Sequence, residues 1–187
     1  MTVDAVSLVD DDVPRVWIGC LHHYAAGFLV GHWFNAIDAD RVSLADVHRG
    51  SSLSHIQCEE TYCLDIDNIP VSRETDPMEA ALWGRLHQEA GEEWPAVCAW
   101  VRSGCHERQG DTDLPDMTAF HDRYVGRWES FAEYAETLAD ETGMMTDWPI
   151  EATRYFNWGS WTRDMAFDYA VVDAPGPDYG VFVFRSC

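Results

Sequence analysis

Hydrophobic and polar positions change period several times along the chain, and each change marks a predicted element. Residues 16–21 form a continuous apolar, partly β-branched run, and residues 28–34 form a second. Between them lies His22-His23-Tyr24-Ala25-Ala26-Gly27, where Gly27 can take a positive φ, so the pair predicts a hairpin. Over 38–47 the spacing turns helical, with Asp40 or Ser43 as candidate cap and Gly50-Ser51-Ser52 as the stop. A third strand is predicted over 60–66, where Thr61, Tyr62, Leu64 and Ile66 favour extended backbone. Asp76-Pro77-Met78-Glu79 then reads as a helix start: Asp at the N-cap, Pro at N1 where its missing donor does no harm, Glu at N3. Met78, Ala81, Leu82 and Leu86 are its expected apolar side, and Gly91 ends it. A second helix over 93–102 places Trp94, Val97 and Val101 on one face before Gly104.

In the last third, Met117, Phe120 and Tyr124 recur at i, i+3 and i+7 after Pro115, which predicts a helix. The next helical stretch carries a ladder of acids. At ~100° per residue, Glu129, Glu133, Glu136 and Asp140 fall within an arc of roughly 60°, with Phe131, Tyr134, Ala135 and Leu138 opposite. Ser130 and Glu133 have the spacing of a reciprocal capping box, and Gly143 supplies the stop. Asp147-Trp148-Pro149 opens a helix through Tyr155, Asn157 caps a shorter one through Met165, and residues 167–172 and 181–184 form a terminal hairpin. The predicted fold class is α+β: an N-terminal antiparallel sheet plus helix, a helical middle, and C-terminal helices with a terminal β-hairpin. Boundaries are expected at the Pro70 connector and the polar stretch 107–113, giving domains 1–68, 69–110 and 111–187.

Charge narrows the function classes. The chain has 33 Asp and Glu against 12 basic residues, all Arg, for a formal net charge of -21. Such a chain repels nucleic acid and anionic membranes and favours cationic partners. The acidity is not a tail: residues 111–187 hold 15 acids and five Arg, a net of -10, which leaves -11 for residues 1–110. With 47% hydrophobic residues, nine of them Trp, there is ample apolar surface for a core. Absence of a basic-then-apolar leader and of any bilayer-length run predicts a cytoplasmic protein, in which six Cys are buried thiols rather than a disulfide framework.

Catalytic signatures are weak. Cys58, Cys63, Cys98, Cys105 and His106 include no C-x-x-C knuckle, so no metal site and no cofactor is expected. Cys20 with His22-His23 could pair a nucleophile with a base, but Cys20 belongs to a predicted strand and adjacent histidines point in different directions. Pairs such as Glu59-Glu60 and Glu92-Glu93 arise by chance at this composition. No G-x-S-x-G, P-loop or dinucleotide fingerprint is present, and a non-enzymatic protein is expected.

Two blocks of residues are similar to the ArdA antirestriction family, carried by plasmids, transposons and phages. The first is Pro14-Arg15-Val16-Trp17-Ile18-Gly19-Cys20-Leu21, continuing through Tyr24, Gly27 and Gly31-His32-Trp33-Phe34-Asn35-Ala36. The second runs from Tyr124-Val125-Gly126-Arg127-Trp128 through Ser130-Phe131-Ala132-Glu133-Tyr134-Ala135, Asp140-Glu141-Thr142-Gly143, Tyr155-Phe156-Asn157-Trp158 and Trp161-Thr162-Arg163-Asp164-Met165 to Val181-Phe182-Val183-Phe184-Arg185. The resemblance implies a DNA mimic: an elongated acidic homodimer of small domains that occupies the DNA-binding groove of a type I restriction-modification enzyme, at its methyltransferase core. It implies inhibition without catalysis and without binding nucleic acid or membrane. The family's antirestriction segment maps around Leu138, Thr142, Gly143 and Met144, with a dimer contact nearby. Glu129, Glu133, Glu136, Asp140, Glu141, Glu151 and Asp164 are the carboxylates expected to act collectively as phosphate substitutes.

Magnitudes permit this reading. Duplex DNA carries one charge per ~1.7 Å, so a charge of -21 matches roughly 36 Å, about ten base pairs. The ladder alone spans ~16 Å, where duplex presents about ten charges, so several elements must combine. The rival readings are a halophile-style acidic surface on an ordinary protein, and an acidic inhibitor of another DNA-binding protein such as a repressor or nucleoid protein.

Overall fold

The computed structural model describes residues 12–175 and 180–186. The chain divides into two compact units, Met1–Gly91 and Glu92–Cys187. Two small antiparallel sheets and eight α-helices among the described residues make the fold class α+β.

In the first unit, β1 (Arg15–Cys20) is the central strand between β2 (Gly31–Asn35) and β3 (Thr61–Asp67), and both pairings are antiparallel. Val16, Ile18 and Cys20 are fully buried, as period-2 alternation demands of a strand with one face on the core. The expected β1–β2 pairing is present, but its connection is not a plain turn. Residues Leu21–Ala25 close into the short helix α1, and β2 starts later than the apolar pattern suggests, leaving Phe28 and Leu29 exposed. The single helix expected over 38–47 is two elements, the 3-10 helix Ala36–Arg41 and α2 (Leu44–Val47). Ser43 resets the chain between them: its Oγ accepts the Asp46 N–H at 3.3 Å while the Asp46 carboxylate accepts the Ser43 N–H at 3.1 Å.

Helix α3 (Pro77–Ala90) starts where Asp76-Pro77 places it, with the Asp76 carboxylate accepting the Glu79 N–H at 2.8 Å. Its buried side differs from the predicted one. Ala80, Ala81, Trp83, Gly84, Leu86 and Ala90 are buried, whereas Met78 is 65% and Leu82 40% exposed. The reason is close approach: α3 packs on the 3-10 helix Ala36–Arg41, and at Gly84 the two backbones come within side-chain distance, which only small residues permit.

The second unit contains α4 (Trp94–Ser103), α5 (Met117–Arg123), β4 (Tyr124–Trp128), α6 (Phe131–Glu141), α7 (Ile150–Arg154), α8 (Trp158–Met165), β5 (Tyr169–Asp173) and β6 (Val181–Arg185). Strands β5 and β6 form the expected antiparallel pair, and the middle of its connection, residues 176–179, lies outside the described residues. Strand β4 is a correction: the helical reading of Met117, Phe120 and Tyr124 stops at Arg123, because residues 124–128 pair antiparallel with β6 in a sheet of order β4-β6-β5. Trp100, Phe120 and Phe184 are fully buried at its centre, with ring centroids 5.7–6.2 Å apart.

Candidate functional site

The acidic helix α6 is held by its ends and by one ring. Ser130 Oγ accepts the Glu133 N–H at 3.2 Å, but the reciprocal half of the expected capping box is displaced: the Glu133 carboxylate takes the Glu129 N–H at 2.9 Å. At the other end the Met144 N–H donates to the Ala139 carbonyl at 2.9 Å and the Gly143 N–H to the Asp140 carbonyl at 3.0 Å, with Gly143 at φ 63°. This is a complete Schellman stop. Thr142 reinforces it, its hydroxyl donating to the Leu138 carbonyl at 2.7 Å, so Leu138, Thr142, Gly143 and Met144 together form the helix terminus. Between the ends, Tyr134, Ala135 and Ala139 are buried. The Tyr134 hydroxyl donates to the Tyr169 oxygen at 2.9 Å across to β5, and its ring packs among Trp128, Phe131 and Tyr169. Burial, then the Tyr169 hydrogen bond, pushes the Tyr134 phenol well above its ordinary value.

All seven predicted carboxylates are exposed. Glu133, Glu136, Asp140 and Glu141 lie on α6; Glu129 precedes the N-cap and belongs to the turn after β4 rather than to the helix face; Glu151 is in the first turn of α7 and Asp164 in the last turn of α8. Over residues 129–168 nine carboxylates face two arginines, a net of -7. Among the described residues none of these nine is in an ion pair. Elsewhere Arg15 pairs with Asp67 at 3.9 Å, Arg49 with Asp46 at 2.6 Å, Arg73 with Glu79 at 2.5 Å and Arg108 with Asp113 at 3.1 Å, while Arg85 meets Asp40 and Arg123 meets Glu107; Glu59, Glu60, Glu89, Glu92, Asp111 and Asp122 are, like the nine, exposed and in no ion pair among the described residues.

Glu133 and Glu151 sit in first turns, where the dipole favours a carboxylate, but other acids of α6 sit where helix physics disfavours them. Glu133–Glu136 and Glu136–Asp140 are like-charge pairs at i,i+3 and i,i+4, each costing roughly 0.2–0.5 kcal/mol. Asp140 and Glu141 occupy the last turn, where the macrodipole opposes negative charge by about 0.3–1 kcal/mol each, and no basic residue offsets them. These penalties sum to about 1–3 kcal/mol, which the favourable first-turn position of Glu133 offsets in part. Sequence reasoning passed over the neighbouring aromatic group of Trp148, Phe156, Trp158 and Trp161, whose centroids lie 5.0–6.0 Å apart beside the exposed Ile150 and Tyr155.

A family model described as Antirestriction protein (ArdA) matches residues 16–176, a span that holds all seven carboxylates. The chain belongs to the ArdA antirestriction family. ArdA membership implies an antirestriction function and interaction with restriction-modification enzymes. A comparison with the curated proteins finds no match. Among the described residues no helix is long and apolar enough to cross a membrane.

The thiols of this ArdA chain divide differently from the sequence expectation. Cys63 is buried in β3, Cys98 is buried in α4, and Cys105 is exposed. Cys58 instead joins Cys20, His23 and His48 in a buried cluster of the first unit, the one group of metal-ligating side chains with metal-like spacing among the described residues. Burial, with His48 and His22 nearby, pushes the His23 imidazole below its ordinary value; burial, with Cys20 nearby, pushes the Cys58 thiol up.

Proposed function

We propose that this chain blocks type I restriction-modification enzymes as a DNA mimic, with the carboxylates of residues 129–168 taking the place of phosphates in the DNA-binding groove. The observation that carries the reading is that over residues 129–168 nine exposed carboxylates face only two arginines and stay out of ion pairs among the described residues, some of them against helix preference. Charge left uncompensated at a local cost is charge available to a cationic groove. Attraction of this kind needs no bond-making side chain, so the protein acts as an inhibitor and not as an enzyme. It acts in the cytoplasm, where its target meets incoming DNA. A homodimer doubles the charge of -21, bringing it to that of about twenty base pairs, and the helix terminus at Leu138, Thr142, Gly143 and Met144 is the contact proposed to build it.

The test is cleavage of unmodified DNA by a purified type I restriction enzyme at increasing concentrations of this protein. Complete protection at near-stoichiometric protein, weakening as salt rises, is the expected result. Undiminished cleavage in the presence of excess folded protein contradicts the proposal.

A further inference from the structure

Four side chains brought together in the first unit form a donor set of their own. Cys20 is the last residue of β1 and the N-cap of α1; His23 follows three residues on; His48 is the C-cap of α2; and Cys58 lies in the connection 48–60 that leads to β3. All four are buried, at 0%, 8%, 5% and 7% exposure. His23 Nδ1 lies 3.3 Å from Cys20 Sγ and 3.4 Å from Cys58 Sγ, and one ligand atom from each of the four lies within 4.8 Å of every other. A tetrahedral zinc ion with Zn–S of about 2.3 Å and Zn–N of about 2.0–2.1 Å holds its sulfur and nitrogen ligands about 3.5 Å apart. The two sulfur–nitrogen distances from His23 match that figure, and the whole set lies within 4.8 Å.

The second observation is the orientation of His48. Its Nδ1 donates to the Leu53 carbonyl at 3.3 Å, which fixes the tautomer with the lone pair on Nε2. That Nε2 is buried and has no hydrogen-bond partner among the described residues. A histidine that belongs to a buried thiol–imidazole cluster, with one ring nitrogen donating to a backbone carbonyl and the other buried without a partner, has the arrangement of a metal ligand with its supporting shell. A Cys20–Cys58 disulfide leaves Nε2 unmatched. A Cys20–His23 nucleophile pair leaves Cys58 and His48 without purpose and gives a substrate no access to the buried thiol. The 13-residue connection 48–60 adds a reason for the site: it has no helix or strand of its own, and Cys58 is where it returns to the sheet.

We propose that Cys20, His23, His48 and Cys58 bind one divalent transition-metal ion, zinc by ligand chemistry, in a closed tetrahedral site that pins the 48–60 connection to β1 and α1. Two thiolates and two imidazoles with no open position make the site structural rather than catalytic. The proposal is independent of the antirestriction reading.

The test uses the full-length, tag-free chain. Metal content of the purified protein, and cobalt(II) titration of the reduced, metal-stripped protein, should each give one ion per chain, with the intense visible bands of tetrahedral cobalt and a thiolate-to-cobalt charge-transfer band. Cys58→Ser and His48→Gln should lose the charge-transfer intensity or weaken binding at least tenfold, and Cys105→Ser, whose thiol is exposed, should retain both. The wild-type spectrum decides the matter even if a variant does not fold. Failure of the reduced wild-type chain to bind zinc or cobalt, a cobalt spectrum without thiolate bands, or unchanged binding in Cys58→Ser would overturn the proposal.

Discussion

Replacing Gly84 by alanine sets two opposed effects against each other. In an exposed helix interior alanine is better than glycine by about 1 kcal/mol, so propensity alone predicts a more stable variant. At this position a Cβ would stand 2.2 Å from the Ile37 nitrogen, 2.5 Å from the Ile37 Cα and 2.8 Å from the Ala36 carbonyl carbon. These are backbone atoms and cannot rotate aside. Restoring ordinary contact requires α3 and the 3-10 helix Ala36–Arg41 to part by about 1 Å, which loosens the fully buried Trp83 beside it. Overpacking costs about 1–3 kcal/mol, and moving a whole helix belongs at the upper end. After the propensity gain the net loss is about 2 kcal/mol, equivalent to a Tm drop of roughly 8–16 °C for a domain of this size. Urea and thermal unfolding followed by tryptophan fluorescence measure it, with Gln88→Ala on the exposed side of α3 as a control expected to shift stability by less than about 0.5 kcal/mol. A Gly84→Ala midpoint equal to or above wild type would refute the close approach of α3 to the 3-10 helix.

Neutralising Glu133, Glu136, Asp140 and Glu141 together, as Gln or Asn, removes four exposed charges at about 0.2–1 kcal/mol each, so inhibition should weaken by roughly fivefold to a thousandfold while single changes stay below about fivefold. Neutralising Glu136, Asp140 and Glu141 alone should leave the protein unfolding at equal or higher denaturant, since like-charge and dipole penalties are relieved while the Glu133 bond to the Glu129 N–H is kept. Gly143→Ala forces a Cβ into the left-handed region and should cost about 1–2 kcal/mol in unfolding experiments, with Gly143→Asn costing less. Burial, then the carboxylates of Asp76 and Glu79, pushes the Cys63 thiol from 9.0 up to about 12. The folded state therefore keeps a proton that the unfolded chain gives up: the stability this provides is complete below pH 9 and is lost as pH rises from 9 to 12. Urea midpoints across that range should fall less steeply in Cys63→Ala than in wild type.

What the chain reveals directly is what neighbours in sequence decide. Asp76-Pro77, Ser130 with Glu133, Gly143 and Asn157 all sit at the helix ends where capping chemistry puts them, because a cap is settled within a few residues. Strand β4 escaped because residues 124–128 become a strand only by pairing with Val181–Arg185, more than fifty residues away. The buried face of α3 escaped for another reason: close backbone approach selects Ala80, Ala81 and Gly84 over the larger Met78 and Leu82, and a hydrophobicity pattern cannot register that. That the seven carboxylates lie exposed was legible in the sequence, but their lack of ion-pair partners was not. The Cys20, His23, His48 and Cys58 group is spread over 39 positions with no C-x-x-C spacing, and only the fold brings it together.

The most direct test of DNA mimicry is displacement. A type I methyltransferase is bound to labelled cognate duplex, and this protein is titrated in at low and at moderate salt. Release of the duplex at near-stoichiometric protein, requiring more protein as salt rises, is what competition for a single cationic groove predicts. Full retention of the duplex by an enzyme that nonetheless binds this protein would contradict it, because the acidic surface would then be occupying some place other than the DNA groove.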